Sequence, residues 1–398
     1  MDASRQAYTN ADSTTFETSV RWNRLQAPAA KAEIFDRKAR ANASLYSHNI
    51  EGYLGTVNIP VGIAGPIRIC GASGTHDYSV PLATTEAALV ASYNRGARLV
   101  SSAGGCHVRV VDEGVSRTPM FAFTNVVEAV RFAEFVAANR DRMTDIVPQI
   151  TRFGLLKSVR TIIEGNHVYV DLRYTTGDAA GQNMVTFASD AICQSLFESS
   201  PVTPRYWFLE ANLSGDKKAA SQSLADVRGK RVVADVIVPG SLIERVLHTT
   251  PVRMTEYWSA GAVGGVMSGT TGIQGHFANG LAALYLACGQ DVACVAESAT
   301  GVTRMEVTDE GDLYTSVTLP NIIVGTVGGG TGLPSARACL DILGLSGPGK
   351  SEALAEVCAG IVLAGELSII GAFCSGDFAA AHRSLSRGAT MQRSKGNE

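Results

Sequence analysis

The sequence predicts an α/β (α+β) fold with a helical lead-in, a large α/β domain around central helices and an inserted ferredoxin-like domain. Segments with helical periodicity alternate with segments of strand periodicity along the 398 residues. Between residues 118 and 209 their order is β-α-β-β-α-β, that of a split βαβ unit. A chain of this length holds two or three domains. We therefore assign 1–50 to the lead-in, 51–117 and 210–398 to the large domain, and 118–209 to the small one.

The composition excludes several classes of protein. Hydrophobic residues make up 45% and charged residues 18% of the chain, which is typical of a globular protein. The net charge of -3 argues against a nucleic-acid binder. The eight cysteines include no C-x-x-C pair, so we expect reduced thiols in the cytoplasm and no metal site. We expect neither a signal peptide nor a membrane span, because residues 1–21 are polar and the apolar run 355–374 contains two glutamates.

The first seventy residues predict one helix and one strand. Residues 29–43 are rich in alanine and follow Pro28, which suits a helix start. Residues 53–69 alternate apolar residues with glycine and proline, which indicates strand and turn rather than helix.

A strong helix is predicted to open at residues 81–86 and to end at Gly104-Gly105, with Thr84 or Thr85 as its cap and Glu86 in its first turn. Polar and cationic side chains form a stripe along this helix: Ser92, Asn94, Arg95 and Arg98. Such a stripe suits phosphate binding, but it is equally typical of a solvated helix face.

Residues 118–209 predict the elements of the small domain. These are strand 119–123, helix 126–138, a hairpin of 154–163 and 167–174, helix 183–196 and strand 205–209. Small residues at 177–184 lead into the second helix and would let a pyrophosphate approach its free N–H groups. A tight strand-to-helix turn explains the same residues, so both interpretations stay open.

The second half predicts a further series of elements. They are strand 231–238, helix 241–248, glycine-rich turns at 261–275, helix 276–295 with an interruption or bend near 289–291, strand 321–324, a glycine loop at 325–332, and helices 335–344 and 351–374. Asp291 is predicted inside an apolar helix. A carboxylate there requires a partner or a function, and a satisfied structural carboxylate is the alternative.

Residues 210–218, Glu-Ala-Asn-Leu-Ser-Gly-Asp-Lys-Lys, suggest chemistry more directly. Ser214-Gly215 predicts a turn, so Asp216, Lys217 and Lys218 should project from a loop. A lysine beside an aspartate can stabilise an oxygen that gains negative charge during a reaction. A solvated surface loop is the alternative interpretation.

Six segments resemble, in order, the hydroxymethylglutaryl-CoA reductase family in its NADPH-using form with a class I-type catalytic portion: residues 51–66, 81–86, 176–184, 216–218, 287–291 and 325–331. The resemblance covers nearly the whole chain from about residue 45. It implies reduction of 3-hydroxy-3-methylglutaryl-CoA to mevalonate and CoA by two hydride transfers from NADPH. It also implies a homodimer or homotetramer with the active site between subunits, and a soluble microbial form without the membrane anchor of eukaryotic members.

The resemblance assigns catalytic and binding roles. Four residues match the family's catalytic positions. Lys217 matches the lysine that stabilises the substrate oxygen, and Glu86 matches the acid that supplies protons. Asp291 matches the aspartate that tunes Lys217 and Glu86, and His382 matches the histidine that protonates the departing CoA thiolate. The CoA side is matched by Ser92, Asn94, Arg95 and Arg98. The NADPH positions are Thr151, Arg152 and Phe153 for the 2′-phosphate, and Asp178, Ala179, Ala180, Gly181, Gln182 and Asn183 for the cofactor loop. The acyl group is matched by Arg117, Asp216, Lys218 and Asn279.

The implied proton donor poses an electrostatic problem. A helix start lowers the pKa of Glu86, whereas a donor has to hold its proton near pH 7. We therefore expect burial and a like-charged Asp291 to raise the pKa of Glu86, and Glu86, Asp291 and Lys217 to titrate as one set.

Two departures from the family pattern concern the substrate carboxylate. Glu210 stands where the family has a serine donor, and Ala260 or Gly261 stands where it has a second lysine. Either the carboxylate is held through Arg117 and Lys218, or the acyl group is a different one. The sequence also allows a Schiff-base aldolase that uses the loop lysine, although the adjacent aspartate argues against it. A non-catalytic CoA-binding relative is disfavoured because all four catalytic positions are filled.

Overall fold

A computed structural model describes residues 15–25 and 27–376 of the chain. Its helices are α1 Thr15–Leu25, α2 Pro28–Ile34, α3 Arg37–Ala41, α4 Leu89–Ser102, α5 Val126–Ala138, α6 Arg140–Ile150, α7 Gln182–Ser199, α8 Gln222–Ala225, α9 Gly240–Leu247, α10 Pro251–Ser268, α11 Phe277–Ala287, α12 Val295–Ser298, α13 Pro334–Leu343 and α14 Ser351–Ser375. Its strands are β1 Val61–Gly71, β2 Gly74–Ala83, β3 Cys106–Arg117, β4 Met120–Ala122, β5 Leu155–Glu164, β6 His167–Thr175, β7 Tyr206–Phe208, β8 Gly229–Val238, β9 Gly272–Ile273, β10 Gly301–Val307 and β11 Leu313–Ile322. The predicted mixed α/β class is confirmed.

All described strands belong to one mixed sheet. Its order is β7-β4-β6-β3-β8-β11-β10-β9, while β1 and β2 form a hairpin that joins at β3, and β5 joins at β6. Strand β3 joins the two halves of this sheet, one with β4 to β7 and the other with β8 to β11. Its first part pairs with β8, and its last residues, Val115 to Arg117, pair with β6. This arrangement places Arg117 at the junction of the two halves.

The elements from β4 to β7 follow the predicted β-α-β-β-α-β order, with one additional helix, α6. Asn125 caps α5 by accepting a hydrogen bond from the Glu128 N–H at 3.0 Å. Phe121, Phe132 and Val170 belong to an apolar cluster separate from that of the large sheet. The division of the chain into domains at the predicted boundaries remains a prediction.

Helix α14 is the central helix of the large half. By length and composition it could cross a membrane, but 89% of its apolar window is buried inside the protein. Two of its three glutamates are buried and hydrogen-bonded within the core. Glu356 accepts from the Ala72 N–H at 2.8 Å, and Glu366 accepts from the Gly275 and His276 N–H groups and the Thr303 hydroxyl. The prediction of a buried helix is confirmed.

Helix α4 packs on α14 at very short range. A Cβ atom at Gly96 would overlap the carbonyl oxygen of Ala364 on α14, so only glycine permits this approach. The approach brings Ser92 and Arg95 to Ser368: the two hydroxyls lie 2.9 Å apart, and the guanidinium donates to the Ser368 hydroxyl and carbonyl at 3.0 and 2.7 Å.

One prediction for the lead-in was wrong, and the strand predicted after it is confirmed only from Val61 onward. Residues 29–43 do not form one helix, because the Asp36 carboxylate accepts from the Ala39 N–H at 2.7 Å and starts a new helix, α3. Residues 53–60 are not a strand. In this segment the Thr56 N–H donates to the Ile34 carbonyl of α2 at 2.9 Å, and strand pairing begins only at Val61.

The helix predicted to open at residues 81–86 begins later. Strand β2 continues to Ala83, and α4 starts at Leu89. Glu86 therefore lies in a turn, where its N–H donates to the Thr84 hydroxyl at 3.0 Å, and neither threonine caps the helix. The predicted end is confirmed, since the Gly105 N–H reaches back to the Val100 carbonyl at 3.0 Å.

The second half departs from the predictions in three places. The glycines at 261–265 lie inside α10, which Thr250 caps and which ends at Ser268, followed by Gly269 with φ 74°. The interruption predicted near 289–291 is confirmed, but it is a full break: α11 ends at Ala287, α12 begins at Val295, and Asp291 is exposed between them. Strands β10 and β11 were missed, apart from the two residues 321–322 at the end of β11.

We predict that Gly96→Ala lowers the free energy of unfolding by about 2–3 kcal/mol, because the added methyl group forces α4 away from α14. Ala91→Ser, on the exposed side of the same helix, is the control and should change it by less than about 0.5 kcal/mol. Chemical denaturation measures both. Equal stability of the two variants would contradict the close approach.

Candidate active site

Lys217 projects from a loop, as predicted, and its ammonium lies 2.8 Å from a carboxylate oxygen of Asp291. Its backbone is left-handed, with φ 56°, a conformation that costs a non-glycine residue roughly 1–3 kcal/mol. The Lys217 N–H donates to the Glu297 Oε1 at 3.1 Å, which helps to hold this conformation. Both members of the ion pair are about 40% exposed, at 42% and 41%, so a reactant can reach them.

The pair fixes the charge of both members. The hydrogen bond to Asp291 raises the pKa of Lys217 above its ordinary value. Partial burial raises the pKa of Asp291, but the hydrogen bond and positive charge of Lys217 outweigh it, so the pKa is lowered overall. At neutral pH the site therefore presents an ammonium supported by a carboxylate.

Behind Lys217 lies a buried chain of alternating charges. Asp216 contacts Arg117 at 3.2 Å and Arg228 at 2.8 Å. Arg228 in turn contacts both carboxylate oxygens of Glu297 at 2.5 Å. Burial raises the pKa of Glu297, and the charge of Arg228 opposes that rise. The chain anchors the loop that carries the lysine.

Glu210 extends this chain. Its Oε2 accepts from Arg117 at 3.2 Å and from the Ser214 hydroxyl at 2.9 Å. Its Oε1 is buried without a hydrogen-bond partner among the described atoms. Lys218 does not pair with it, because the Lys218 ammonium donates to the Asp216 carbonyl at 2.9 Å. The cation that pairs with Glu210 is therefore Arg117.

Glu86 does not meet the expectation for a buried proton donor. It is exposed, and both of its carboxylate oxygens accept from the Asn279 amide, at 3.1 and 2.9 Å. Among the contacts of the described residues, none joins it to Lys217 or Asp291. The expected burial beside Asp291 was therefore wrong for a single chain, and Asn279 lies with Glu86 rather than with Arg117. His382 lies outside the described residues.

The Asp178 side chain of the predicted cofactor loop caps a helix. It accepts from the N–H groups of Gly349, Lys350 and Ser351, at 2.7, 3.2 and 3.2 Å, at the start of α14. Burial raises its pKa, but these hydrogen bonds outweigh it and lower the pKa overall. Asp178 thus positions the loop against the core helix, and its carboxylate oxygens already accept hydrogen bonds from that helix.

The remainder of the cofactor loop lines a cleft of about 560 Å³. One wall is formed by residues 179–184 at the start of α7, where Gly181 has φ 75° and no side chain caps the helix. The opposite wall is the glycine loop, which Gln290 holds through both hydrogen bonds of Gly325, at 2.8 and 3.0 Å. Asp291 lines the same cleft, so the cleft extends to the partner of Lys217.

The predicted tripeptide 151–153 lies beside the start of the cofactor loop. A Cβ at Gly177 would come within 4.0 Å of Phe153, and one at Gly154 would overlap Met184. Arg152 is exposed, with its guanidinium 5.9 Å from the Phe153 ring centroid. The structure therefore brings together two segments that are separated by more than twenty residues of β-hairpin.

Most of the polar residues on α4 that were predicted to bind CoA form hydrogen bonds within the protein. Ser92 and Arg95 face Ser368, and Asn94 accepts from the Gly65 N–H at 3.1 Å. Arg98 is exposed. Three of the four predicted residues thus have partners inside the protein.

Sequence reasoning missed Arg228 and Glu297, which hold the loop from behind. A signal was present for Glu297, because it stands among small and apolar residues, Cys-Val-Ala-Glu-Ser-Ala, six positions after Asp291. A glutamate in such surroundings requires a partner. Nothing in the sequence identified Arg228 as that partner.

Comparisons with known proteins show the family and the fold of the chain. The family model described as "Hydroxymethylglutaryl-coenzyme A reductase" matches residues 18–387. The 3-hydroxy-3-methylglutaryl-coenzyme A reductase of Methanothermobacter thermautotrophicus is 43% identical over 342 residues, 85% of each chain. That of Pyrococcus horikoshii is 42% identical over 350 residues, 86% of this chain and 84% of the relative. A solved class II enzyme from Streptococcus pneumoniae bound to NADPH shares the fold, with a TM-score of 0.68 and 19% identity over 88% of this chain and 96% of that chain.

We predict that Asp178→Ala lowers the free energy of unfolding by about 1 kcal/mol at pH 7, because α14 loses its cap. The lowered pKa means that this stabilisation is complete above the ordinary carboxyl pKa of about 3.9 and is lost as the pH falls through the lower folded value. The difference between wild type and variant should therefore shrink below about pH 4. Asp178→Asn, which keeps an acceptor, should lose less stability without this pH dependence, as denaturation at several pH values would measure.

Proposed function

The chain belongs to the hydroxymethylglutaryl-coenzyme A reductase family, and we propose that it reduces 3-hydroxy-3-methylglutaryl-CoA with NADPH to mevalonate and CoA. The observation that carries the proposal is the Lys217–Asp291 pair, with its 2.8 Å contact, at the edge of the cleft between the cofactor loop and the glycine loop. An accessible cation that adjoins such a cleft suits a reaction in which a carbonyl oxygen gains negative charge.

The cleft fits NADPH. Side chains at Gly328 and Gly329 would enter open space, so the glycine loop leaves room for a ligand, and the start of α7 offers N–H groups to a pyrophosphate. We propose that the exposed Arg152 holds the 2′-phosphate through a bidentate contact. When bound, NADPH supplies the hydride.

Within this site, Lys217 stabilises the negative charge that develops on the substrate. Reduction of the thioester and reduction of the aldehyde both put negative charge on the same carbonyl oxygen, so one ammonium stabilises both transition states. Asp291 keeps that ammonium protonated, as the raised pKa of Lys217 indicates. The same raised pKa argues against the aldolase alternative, which requires a neutral amine.

The remaining catalytic roles belong to Glu86 and His382. We propose that Glu86 supplies protons and that His382 protonates the CoA thiolate. Because Glu86 is exposed and paired with Asn279, we propose that a second copy of the chain completes the site in a homodimer or homotetramer. Exposed apolar residues on two segments support such an interface: Val57, Ile59, Val61, Ile63, Val263, Val266 and Met267. Eight free cysteines favour a cytoplasmic location.

A second candidate is reduction of a related acyl-CoA that lacks the usual carboxylate. Arg117 contacts the carboxylates of Glu210 and Asp216, so the cation expected to bind a substrate carboxylate is already neutralised. The usual substrate can still bind if its carboxylate pairs with Lys218, or if it displaces Glu210 from Arg117. We favour the usual substrate because Arg117, Asp216 and Lys218 all remain at the site.

A substrate panel tests the proposal. NADPH oxidation is measured with hydroxymethylglutaryl-CoA, acetoacetyl-CoA, succinyl-CoA and glutaryl-CoA, with Lys217→Ala as the inactive control. We expect turnover with hydroxymethylglutaryl-CoA and loss of nearly all of it in the control, for thioester and free aldehyde alike. Turnover only with an acyl-CoA that has no carboxylate would replace the proposed substrate.

We predict that the enzyme has a higher kcat/KM with NADPH than with NADH. Arg152→Ala should lower the ratio of these two kcat/KM values by about 10- to 100-fold, because one charged hydrogen bond to the 2′-phosphate is lost. Arg142→Ala removes an exposed arginine of the preceding helix and should leave the ratio unchanged. Comparable kcat/KM values in the wild type would refute the role of Arg152.

We predict that Glu210→Ser leaves KM for hydroxymethylglutaryl-CoA unchanged or lowers it, by up to about tenfold, because Arg117 loses one competing carboxylate. Glu210→Gln is the matched control that removes the charge and keeps the shape. A higher KM of both variants for an acyl-CoA with a neutral or cationic acyl group would instead identify Glu210 as a recognition residue for that group.

A further inference from the structure

Glu297 is a buried carboxylate that none of the roles above uses directly. It lies on the single-turn helix α12 between α11 and β10, and no part of it is exposed to solvent. A buried carboxylate is stable only when donors satisfy it. Among the described residues, the donors to its carboxylate are the Arg228 guanidinium and the Lys217 N–H, which belong to the arginine behind the loop and to the loop that carries the lysine.

The contact with Lys217 acts on the backbone. The N–H of this residue donates to Glu297 Oε1 at 3.1 Å while its φ is 56°, in the left-handed region. Residues with a Cβ avoid this region unless surrounding contacts favour it. An acceptor fixed in the core is such a contact, and it selects the direction in which the lysine side chain leaves the loop.

A second contact holds the preceding residue. Arg228 binds Glu297 with one terminal nitrogen and the Asp216 carboxylate with the other, at 2.5 and 2.8 Å. Its own N–H is anchored to the Asn321 side chain at 3.0 Å. Glu297 therefore holds two consecutive residues of the loop, Asp216 through Arg228 and Lys217 directly.

We propose that Glu297 is a positioning residue for the reductase reaction. It holds Lys217 in the left-handed backbone conformation that carries the ammonium to Asp291, so that the cation points at the reacting oxygen before substrate arrives. This inference rests on the proposed function for its kinetic consequences. The placement of Lys217 itself is independent of substrate and is testable in the free protein.

The first experiment compares Glu297→Ala and Glu297→Gln with Glu356→Ala. Glu356 is also a buried carboxylate bound to a backbone N–H, but it lies on α14 and contacts Ala72. We expect Glu297→Ala to lower kcat for thioester and aldehyde by about 100-fold, the cost of a misplaced catalytic group, with KM changed by less than about threefold. Glu297→Gln keeps an acceptor for the Lys217 N–H and should recover about tenfold of that loss. Glu356→Ala should lose stability and keep its kcat per folded molecule.

The second experiment measures the placement of Lys217 without substrate. The free protein is treated with an amine-reactive acetylating reagent, and mass spectrometry follows the labelling rate of Lys217 relative to the exposed Lys38. An ammonium paired with Asp291 has little neutral amine, so the wild type should label slowly. Glu297→Ala should increase the rate about tenfold, and Glu356→Ala should not change it.

The two experiments separate failure of this inference from failure of the proposed function. If the wild type reduces no acyl-CoA, the proposed function fails, and the labelling rates still decide the role of Glu297. If Glu297→Ala does not fold, labelling of Glu297→Gln takes its place and should be faster than in wild type. Unchanged labelling in the folded Glu297 variants, with a loss of kcat no greater than in Glu356→Ala, would overturn the inference.

Discussion

The nearly complete burial of helix α14 is the constraint on which the rest of the structure depends. A helix that is apolar on every face requires a layer of protein on every side, and α4, α11 and the large sheet supply it. Its two buried carboxylates must then find donors inside the core, and both take them from loops. Glu366 binds the N–H groups that lead into α11, and Glu356 binds the turn of the β1–β2 hairpin. The core helix thus determines where these loops lie.

The same principle extends to the candidate site. Asp178 satisfies the N-terminus of α14, and Glu297 satisfies the loop of Lys217, so carboxylates bound to backbone N–H groups fix both of these loops. The charges near Lys217 also balance. Four cations, Lys217, Lys218, Arg117 and Arg228, face four carboxylates, of Glu210, Asp216, Asp291 and Glu297. An incoming substrate carboxylate would give this cluster a net negative charge unless Glu210 is displaced or protonated.

Sequence reasoning succeeded where a local signal and the tertiary environment agree. Turn residues and periodicity indicated the βαββαβ order, the loop of Lys217 and the end of α4 just before Gly104. It failed where a distant contact decides. Asp36 divides the first helix, strand pairing extends β2 to Ala83, and packing makes α10 helical despite its glycines. The buried partners of the loop were invisible because Arg228 and Glu297 are 69 residues apart in the chain.

The arrangement of α11 explains why one chain leaves the predicted catalytic set divided. Asn279, which binds Glu86, lies in the first turn of this helix, and Asp291 follows its end. The segment from Asn279 to Ala287 spans roughly 12 Å of helix axis. Glu366 fixes the start of α11, and Gln290 is bound to Gly325 beyond its end, so contacts hold both ends of this segment in place. Glu86 therefore lies with Asn279 at one end, whereas Asp291 holds Lys217 beyond the other, and its exposure leaves Glu86 accessible to the second copy of the chain that we propose.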